Sequence, residues 1–127
     1  MNQAEPTKLT VCIVDGDPAV RDSLATALNM NGYPVHTFPT GQAIIDAAAN
    51  TPCSCVVCEA ELPDTTGVSV FHALQPLGLH FALLISNNNP ELVSDATRAG
   101  IDHIFFKPLV NRRLLSFIAE AGATVSD

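Results

Sequence analysis

Five short apolar runs, each followed by a stretch of helical periodicity, constrain the fold of this chain more than any other feature. Alternating strands and helices predict a parallel sheet covered by helices on both faces. Near-continuous apolarity indicates that the first, third and fourth strands are central. The fold class is therefore α/β, a doubly wound parallel five-stranded sheet of the (βα)5 type. The predicted strands are Leu9–Val14, Pro34–Phe38, Cys53–Cys58, Phe81–Ile85 and His103–Phe106.

Capping residues, prolines and glycines mark the ends of the predicted helices. Asp17 before Pro18 predicts the start of the first helix, and Asn31-Gly32 predicts its end. Thr40 is a candidate cap for the second, and Gly100 a left-handed stop for the fourth. Asn89-Pro90 predicts the start of the fourth helix, at 90–99, and the remaining helices are predicted at 68–74 and 110–121.

Length and charge limit the classes of function. With 127 residues, of which 47% are hydrophobic, the chain is expected to form one domain over 8–122, with flexible termini at 1–7 and 123–127. A formal charge of −7 argues against nucleic acid as a direct ligand, because phosphate backbones attract positive surfaces. No signal peptide or membrane span is recognisable, so a cytoplasmic protein is expected.

Four cysteines leave two interpretations open. Cys12 and Cys58 lie in strand-like apolar runs, where a free thiol acts as a small buried hydrophobe. Alternatively, Cys53, Cys55 and Cys58 form a C-x-C-x-x-C run that would suit a redox or metal sensor. The histidines are scattered singly, which does not favour zinc. They are His36, His72, His80 and His103.

Polar residues follow four of the predicted strands. Because ligands bind outside the carboxyl ends of strands in an open parallel sheet, these residues are expected to meet at one edge. They combine carboxylates, a hydroxyl and a lysine. The four segments are Asp15-Gly16-Asp17, Glu59-Ala60-Glu61, Ser86-Asn87 and Lys107-Pro108.

From about Leu9 to Ala121 the sequence resembles the receiver domain of two-component response regulators, whose fold is flavodoxin-like. It is most similar to receivers that precede a helix-turn-helix output domain. The motifs that carry the resemblance are Ile13–Arg21, Leu62–Gly67, Leu84–Ser86, Ala99-Gly100 and Lys107-Pro108.

The resemblance implies phosphoryl transfer from a histidine kinase to an aspartate after the third strand. It also implies Mg²⁺ at an acidic pair after the first strand, and contacts from a hydroxyl and a lysine to the phosphoryl oxygens. Asp15, Ser86 and Lys107 fill the first acidic, hydroxyl and lysine positions. Lys107-Pro108 also resembles the family's cis-proline turn.

The sequence departs from this pattern at the positions that matter most. Gly16 replaces the acidic residue expected to contact the metal, Asp17 is better placed as a helix cap, and Glu59 replaces the phosphoacceptor. Asn87 stands where Gly or Ala is usual, and Ile104 stands at the aromatic switch position. Mg²⁺ is therefore expected to bind weakly or not at all, with only Asp15, Glu59 and Glu61 as residual ligands.

These departures predict a pseudo-receiver, which is not an enzyme, needs no cofactor and acts through protein contacts. Glu59 either imitates an occupied acceptor or forms a structural ion pair with Lys107. The alternative is a live receiver phosphorylated on Asp15, Asp17 or Glu61.

The implied partners are a histidine kinase or an output domain that controls transcription. The resemblance also implies a homodimer through the fourth helix, fifth strand and fifth helix. Exposed members of this surface are expected to include Arg98, Asp102, Asn111, Arg112 and Arg113.

Overall fold

The computed structural model of the chain describes residues 9–86, 89–107 and 111–125. Five strands form one parallel sheet in the order β2-β1-β3-β4-β5, which confirms the predicted fold class and the three central strands. The strands are Val11–Val14 (β1), Val35–Phe38 (β2), Cys55–Glu59 (β3), His80–Ile85 (β4) and His103–Phe106 (β5).

Five α-helices follow the strands, one after each. A short 3-10 turn, Gln75–Leu77, extends the third helix and has no counterpart in the predictions. The fifth helix runs to Val125, so residues 123–125, predicted as part of a flexible terminus, are helical. Segments 1–7 and 126–127 lie outside the described residues. The helices are Pro18–Met30 (α1), Gly41–Ala47 (α2), Gly67–Leu74 (α3), Pro90–Ala99 (α4) and Asn111–Val125 (α5).

The helix ends have the local causes that the sequence predicts. Asp17, Thr40 and Asn89 each accept a hydrogen bond from a backbone N–H in the first turn of the helix that they precede. Gly100 ends α4 with φ of 99°, a left-handed conformation that favours glycine.

Apolar clusters cover the two faces of the sheet. The first contains Leu24 and Leu28 of α1 together with Leu114 and Ile118 of α5. The second contains buried residues of α2, α3 and α4, such as Ile44, Val70 and Ala96. Side chains alternate between the faces along each strand, so β1 and β3 contribute to both clusters. Within the described residues, no helix is long and apolar enough to cross a bilayer.

Candidate functional site

Glu59, the last residue of β3, lies at the centre of the polar edge that the sequence predicts. Its carboxylate lies 3.1 Å from the Ser86 hydroxyl, 3.4 Å from the Gly16 backbone nitrogen and 3.5 Å from Lys107 Nζ. The side chain is only 17% exposed. Three predicted site residues therefore meet at Glu59, because their strands end at one edge of a parallel sheet.

Asp15, rather than Glu59, is the closer partner of Lys107. The two side chains form an ion pair of 2.6 Å, and the Asp15 carboxylate also accepts a 2.9 Å hydrogen bond from the Asp17 backbone. Arg21 donates to the Asp15 carbonyl oxygen at 2.7 Å. Asp15 is fully buried. The predicted pair of Glu59 and Lys107 thus exists, but Lys107 lies closer to Asp15 than to Glu59, and the three charged groups form one cluster.

The surroundings of Glu59 disfavour its charged form. Burial raises the pKa of this carboxyl, and a hydrogen bond and charge repulsion from Asp15 raise it further. The ammonium of Lys107 and the hydroxyl of Ser86 act in the opposite direction without cancelling the effect. The protonated form of Glu59 is therefore more favoured here than it would be in water.

The other predicted residues have simpler roles or lie apart. Asp17 is exposed and caps α1, as expected, through a 2.9 Å bond from the Ala19 nitrogen. Glu61 is exposed, and its backbone forms an isolated bridge with Thr66. Ile104 is half-buried and packs against the second cluster. Asn87 and Pro108 lie outside the described residues.

Gly16 allows the close approach of a loop. A Cβ built on Gly16 would lie 3.0 Å from both Cγ and Cδ of Pro63, tighter than ordinary van der Waals contact. Any side chain at this position requires the proline ring to move by a few tenths of an ångström. An acidic side chain at position 16 would therefore require Pro63, in the loop between β3 and α3, to shift.

Asp64 contributes to this edge in a way that the sequence pattern does not predict. Its carboxylate accepts 2.9 Å hydrogen bonds from the backbone nitrogens of Gly41 and Gln42, the first two residues of α2. These bonds hold the pKa of Asp64 below its ordinary value. The carboxylate ties the β3–α3 loop to α2. Asp and Asn favour helix caps, but this pairing spans distant residues, so local sequence gives no signal for it.

The donor set does not fit Mg²⁺, the ion that the resemblance implies. A hard cation needs several free oxygen ligands, whereas the Asp15 and Glu59 carboxylates are bound to Lys107, backbone N–H groups and Ser86. Gly16 offers no side-chain ligand. In the part of the chain that the structure describes, no group of three or more His, Cys, Asp or Glu side chains is arranged to hold a metal.

The cysteine run does not converge on one site. Cys55 packs in the first cluster and Cys58 in the second, so their thiols lie on opposite faces of the sheet. Burial raises the pKa of Cys55 to about 12 and also raises that of Cys58. Cys55 and Cys58 therefore pack as small buried hydrophobic residues, one on each face of the sheet.

Comparison with known proteins agrees with this architecture. The chain is 30% identical to the probable transcriptional regulatory protein TcrX of Mycobacterium tuberculosis, in an alignment covering 100% of the chain and 57% of TcrX. It is 29% identical to the transcriptional regulatory protein FixJ of Bradyrhizobium diazoefficiens, covering 91% of the chain and 57% of FixJ. The chain therefore spans little more than half the length of these relatives.

A solved structure gives the same result for the fold. The CheY-like response regulator receiver domain protein of Methanospirillum hungatei JF-1 superimposes with a TM-score of 0.84 at 25% identity, over 92% of this chain and 95% of that protein. The family model for the response regulator receiver domain matches residues 11–119, which include every strand and the carboxyl-end site. The chain belongs to the response regulator receiver domain family.

Proposed function

We propose that this chain is a pseudo-receiver, a signalling module that acts through protein contacts without phosphorylation of the acceptor position. The observation that carries the proposal is the placement of the Glu59 carboxylate. It contacts Ser86 and Lys107, the two side chains that the family resemblance assigns to the phosphoryl oxygens. Glu59 thereby occupies space that a phosphoryl group would need.

The charges around Glu59 support the same proposal. Phosphoryl transfer requires a cation and hydrogen-bond donors that are available to developing negative charge. Here the Lys107 ammonium already holds Asp15 at 2.6 Å, and Gly16 cannot supply a metal ligand. In this proposal the domain is not an enzyme and carries no cofactor. Glu59 holds the site in one arrangement, in place of a reversible switch.

The partners follow from the relatives, which are named as transcriptional regulators and are nearly twice as long. We propose that the domain contacts a histidine kinase or an output domain that controls transcription. Its candidate surface, also for a homodimer, consists of α4, β5 and α5. Arg98, Asp102 and Arg113 are exposed there. Asn111 and Arg112, predicted at the same surface, have side chains outside the described set.

Phosphorylation with acetyl phosphate tests the proposal. The protein is incubated with acetyl phosphate and Mg²⁺, and its intact mass is followed for the gain of one phosphoryl group. The wild type is expected to remain unmodified. The Gly16→Asp/Glu59→Asp variant, which restores both acidic positions, is expected to gain the group.

The control is the same double variant carrying Lys107→Met in addition, which lacks the lysine that contacts phosphoryl oxygens. It should gain little or none. Stoichiometric phosphorylation of the wild type, whether on Asp15, Asp17 or Glu61, would contradict the proposal.

A further inference from the structure

A groove lies between β5 and α5, outside the site at the carboxyl ends of the strands. Its volume is about 340 Å³, at the lower end of the range for small-molecule sites, and it opens to solvent. β5 is the last strand in the order of the sheet, so the groove follows an edge of the sheet. Among the described residues, the lining consists of His103 and Phe105 of β5 and Arg113, Ser116, Phe117 and Glu120 of α5.

Three aromatic rings form the floor of this groove. His103 and Phe105 lie two positions apart on β5, so their side chains share one face of the sheet. The Phe117 ring contacts both, with centroid distances of 4.6 Å to His103 and 5.9 Å to Phe105. Phe117 is only 7% exposed, whereas Phe105 is half-buried and His103 is exposed. Packing therefore fixes the rings, and their uncovered parts offer a surface to a planar apolar group.

Arg113 gives one end of the groove a positive charge. It lies four residues before Phe117 and three before Ser116, so these side chains share one side of α5. Arg113 is exposed, and both ion pairs among the described residues belong to Lys107, so Arg113 has no carboxylate partner there. A guanidinium binds a carboxylate through two parallel hydrogen bonds, and the Ser116 hydroxyl can donate another.

Glu120 gives the other end of the groove a negative charge. It follows Arg113 by seven residues, which is two turns or about 10 Å along the axis of α5. A second hollow of about 240 Å³ shares Glu120, His103 and Phe117 with the groove and extends it to His80. A carboxylate bound at Arg113 is therefore well separated from Glu120. A ligand with an anionic group at each end would meet a like charge.

We propose that the groove between β5 and α5 binds a small aromatic monocarboxylate. The ligand carboxylate pairs with the Arg113 guanidinium, and its ring system lies against Phe105 and Phe117 with the uncharged end toward Glu120. The volume suits one ring system, and the single free cation lining it complements one carboxylate. This inference does not rest on the proposed pseudo-receiver function, because it uses no residue of the carboxyl-end site.

Titration with 2-naphthoate tests the proposal. The chain contains no tryptophan, so naphthoate fluorescence is followed over a weak protein background. Binding is expected with a Kd of about 1 mM or lower. The uncharged 2-naphthamide has the same shape and should bind roughly fivefold more weakly, because it cannot pair with the guanidinium. Naphthalene-2,6-dicarboxylate should also bind more weakly than 2-naphthoate, since its second carboxylate lies toward Glu120.

Variants identify the residues that recognise the ligand. Arg113→Gln should bind 2-naphthoate and 2-naphthamide equally. Arg98→Gln, which removes the same charge from an exposed residue of α4 that does not line the groove, should discriminate between them as the wild type does. Phe105→Leu should weaken both ligands by a similar factor.

Three results would overturn the proposal. The first is a wild type that does not bind 2-naphthoate at millimolar concentration. The second is an Arg113→Gln variant that still prefers 2-naphthoate to 2-naphthamide. The third is tighter binding of the dicarboxylate than of 2-naphthoate, which would show attraction to charge alone.

Discussion

At the scale of single residues, two carboxylates, those of Asp15 and Glu59, lie within ion-pair distance of one ammonium group, that of Lys107. Lys107 lies 2.6 Å from Asp15 and 3.5 Å from Glu59, and both carboxylates are largely withdrawn from water. The meeting of Glu59, Ser86 and Lys107 was predictable, because parallel strands end at one edge. The closer pairing of Lys107 with Asp15 was not predictable. It depends on the difference between distances of 2.6 Å and 3.5 Å, which no sequence pattern encodes.

Lys107→Met tests the cost of removing that ammonium. Asp15 is fully buried and would lose its only side-chain cation in the described contacts, so the variant should lose stability. Breaking a buried pair costs about 3–5 kcal/mol, and the 16% exposure of Lys107 places the expected loss near the lower end. Urea unfolding measures it.

The matched variant is Lys107→Met combined with Asp15→Asn, which removes the stranded charge. This double variant should recover part of the lost stability. A single-variant loss of under about 1 kcal/mol would show that water screens the pair as it does at an exposed surface.

Glu59→Gln should remove the contribution of Glu59 to the pH dependence of the free energy of unfolding. The pKa of Glu59 is raised in the folded protein, so its stabilising contribution is complete below the ordinary value of 4.5 and is lost as the pH rises through the folded value. The wild type should therefore gain stability relative to Glu59→Gln as the pH falls toward 4.5.

At neutral pH the glutamine variant should be at least as stable as the wild type, because Lys107 keeps Asp15 as its partner. An ion pair of Glu59 and Lys107 alone would leave Lys107 unpaired in this variant, but the closer carboxylate of Asp15 remains. Urea midpoints of both proteins at several pH values provide the measurement. A wild type that loses stability relative to the variant on acidification would contradict the raised pKa.

At the scale of elements, the sequence predicts the starts of helices, which depend on local capping residues, better than the ends of strands, which depend on pairing with other strands. Caps at Asp17, Thr40 and Asn89 fix the helix starts, and they are legible in sequence. β1 begins at Val11 instead of Leu9, and β3 runs from Cys55 to Glu59 instead of Cys53 to Cys58. Strand ends depend on which neighbour offers a hydrogen bond, and that is a property of the sheet.

Removal of Asp64 should loosen the connection between the β3–α3 loop and α2. Asp64→Ala deprives the Gly41 and Gln42 nitrogens of their acceptor, so the urea midpoint should fall. Asp64→Asn keeps one acceptor oxygen and should fall less. Because the pKa of Asp64 is lowered, the wild-type advantage exists above its ordinary value and disappears as the pH falls through the folded one. Equal midpoints for wild type and Asp64→Ala would exclude this role.

The contact between Gly16 and Pro63 should govern recovery of metal binding. Wild-type protein is expected not to bind Mg²⁺ measurably at low millimolar concentration, and Gly16→Asp should recover some affinity. Because a Cβ at position 16 meets the Pro63 ring at 3.0 Å, Gly16→Asp/Pro63→Ala should recover more.

The assay follows Asp15 and Glu59 resonances during titration, with Pro63→Ala alone as the control that adds space but no ligand. Saturation of the wild type below about 1 mM would overturn the prediction. An equal affinity of the single and double variants would show that Pro63 yields without cost.

At the scale of the whole molecule, two apolar clusters on opposite faces of one sheet place every polar site residue at the remaining edge. The alternation of runs predicted the parallel sheet and the location of that edge, and the apolarity of the runs predicted which strands are central. Contacts between remote segments were not predictable. The Asp64 carboxylate and the first turn of α2 meet only after the chain has folded.

The effect of Glu59 on association decides whether it sets a signalling state or only supports the fold. If it imitates an occupied acceptor, Glu59→Gln and Glu59→Ala should change self-association through the surface of α4, β5 and α5 by more than they change the urea midpoint. Glu61→Gln is the matched control, because it removes the same charge from an exposed neighbour in a chain of formal charge −7. Sedimentation and urea unfolding are measured on the same preparations. If both Glu59 variants associate as Glu61→Gln does and differ from the wild type in stability alone, then the cluster of Glu59, Asp15 and Lys107 is structural and the imitation hypothesis is wrong.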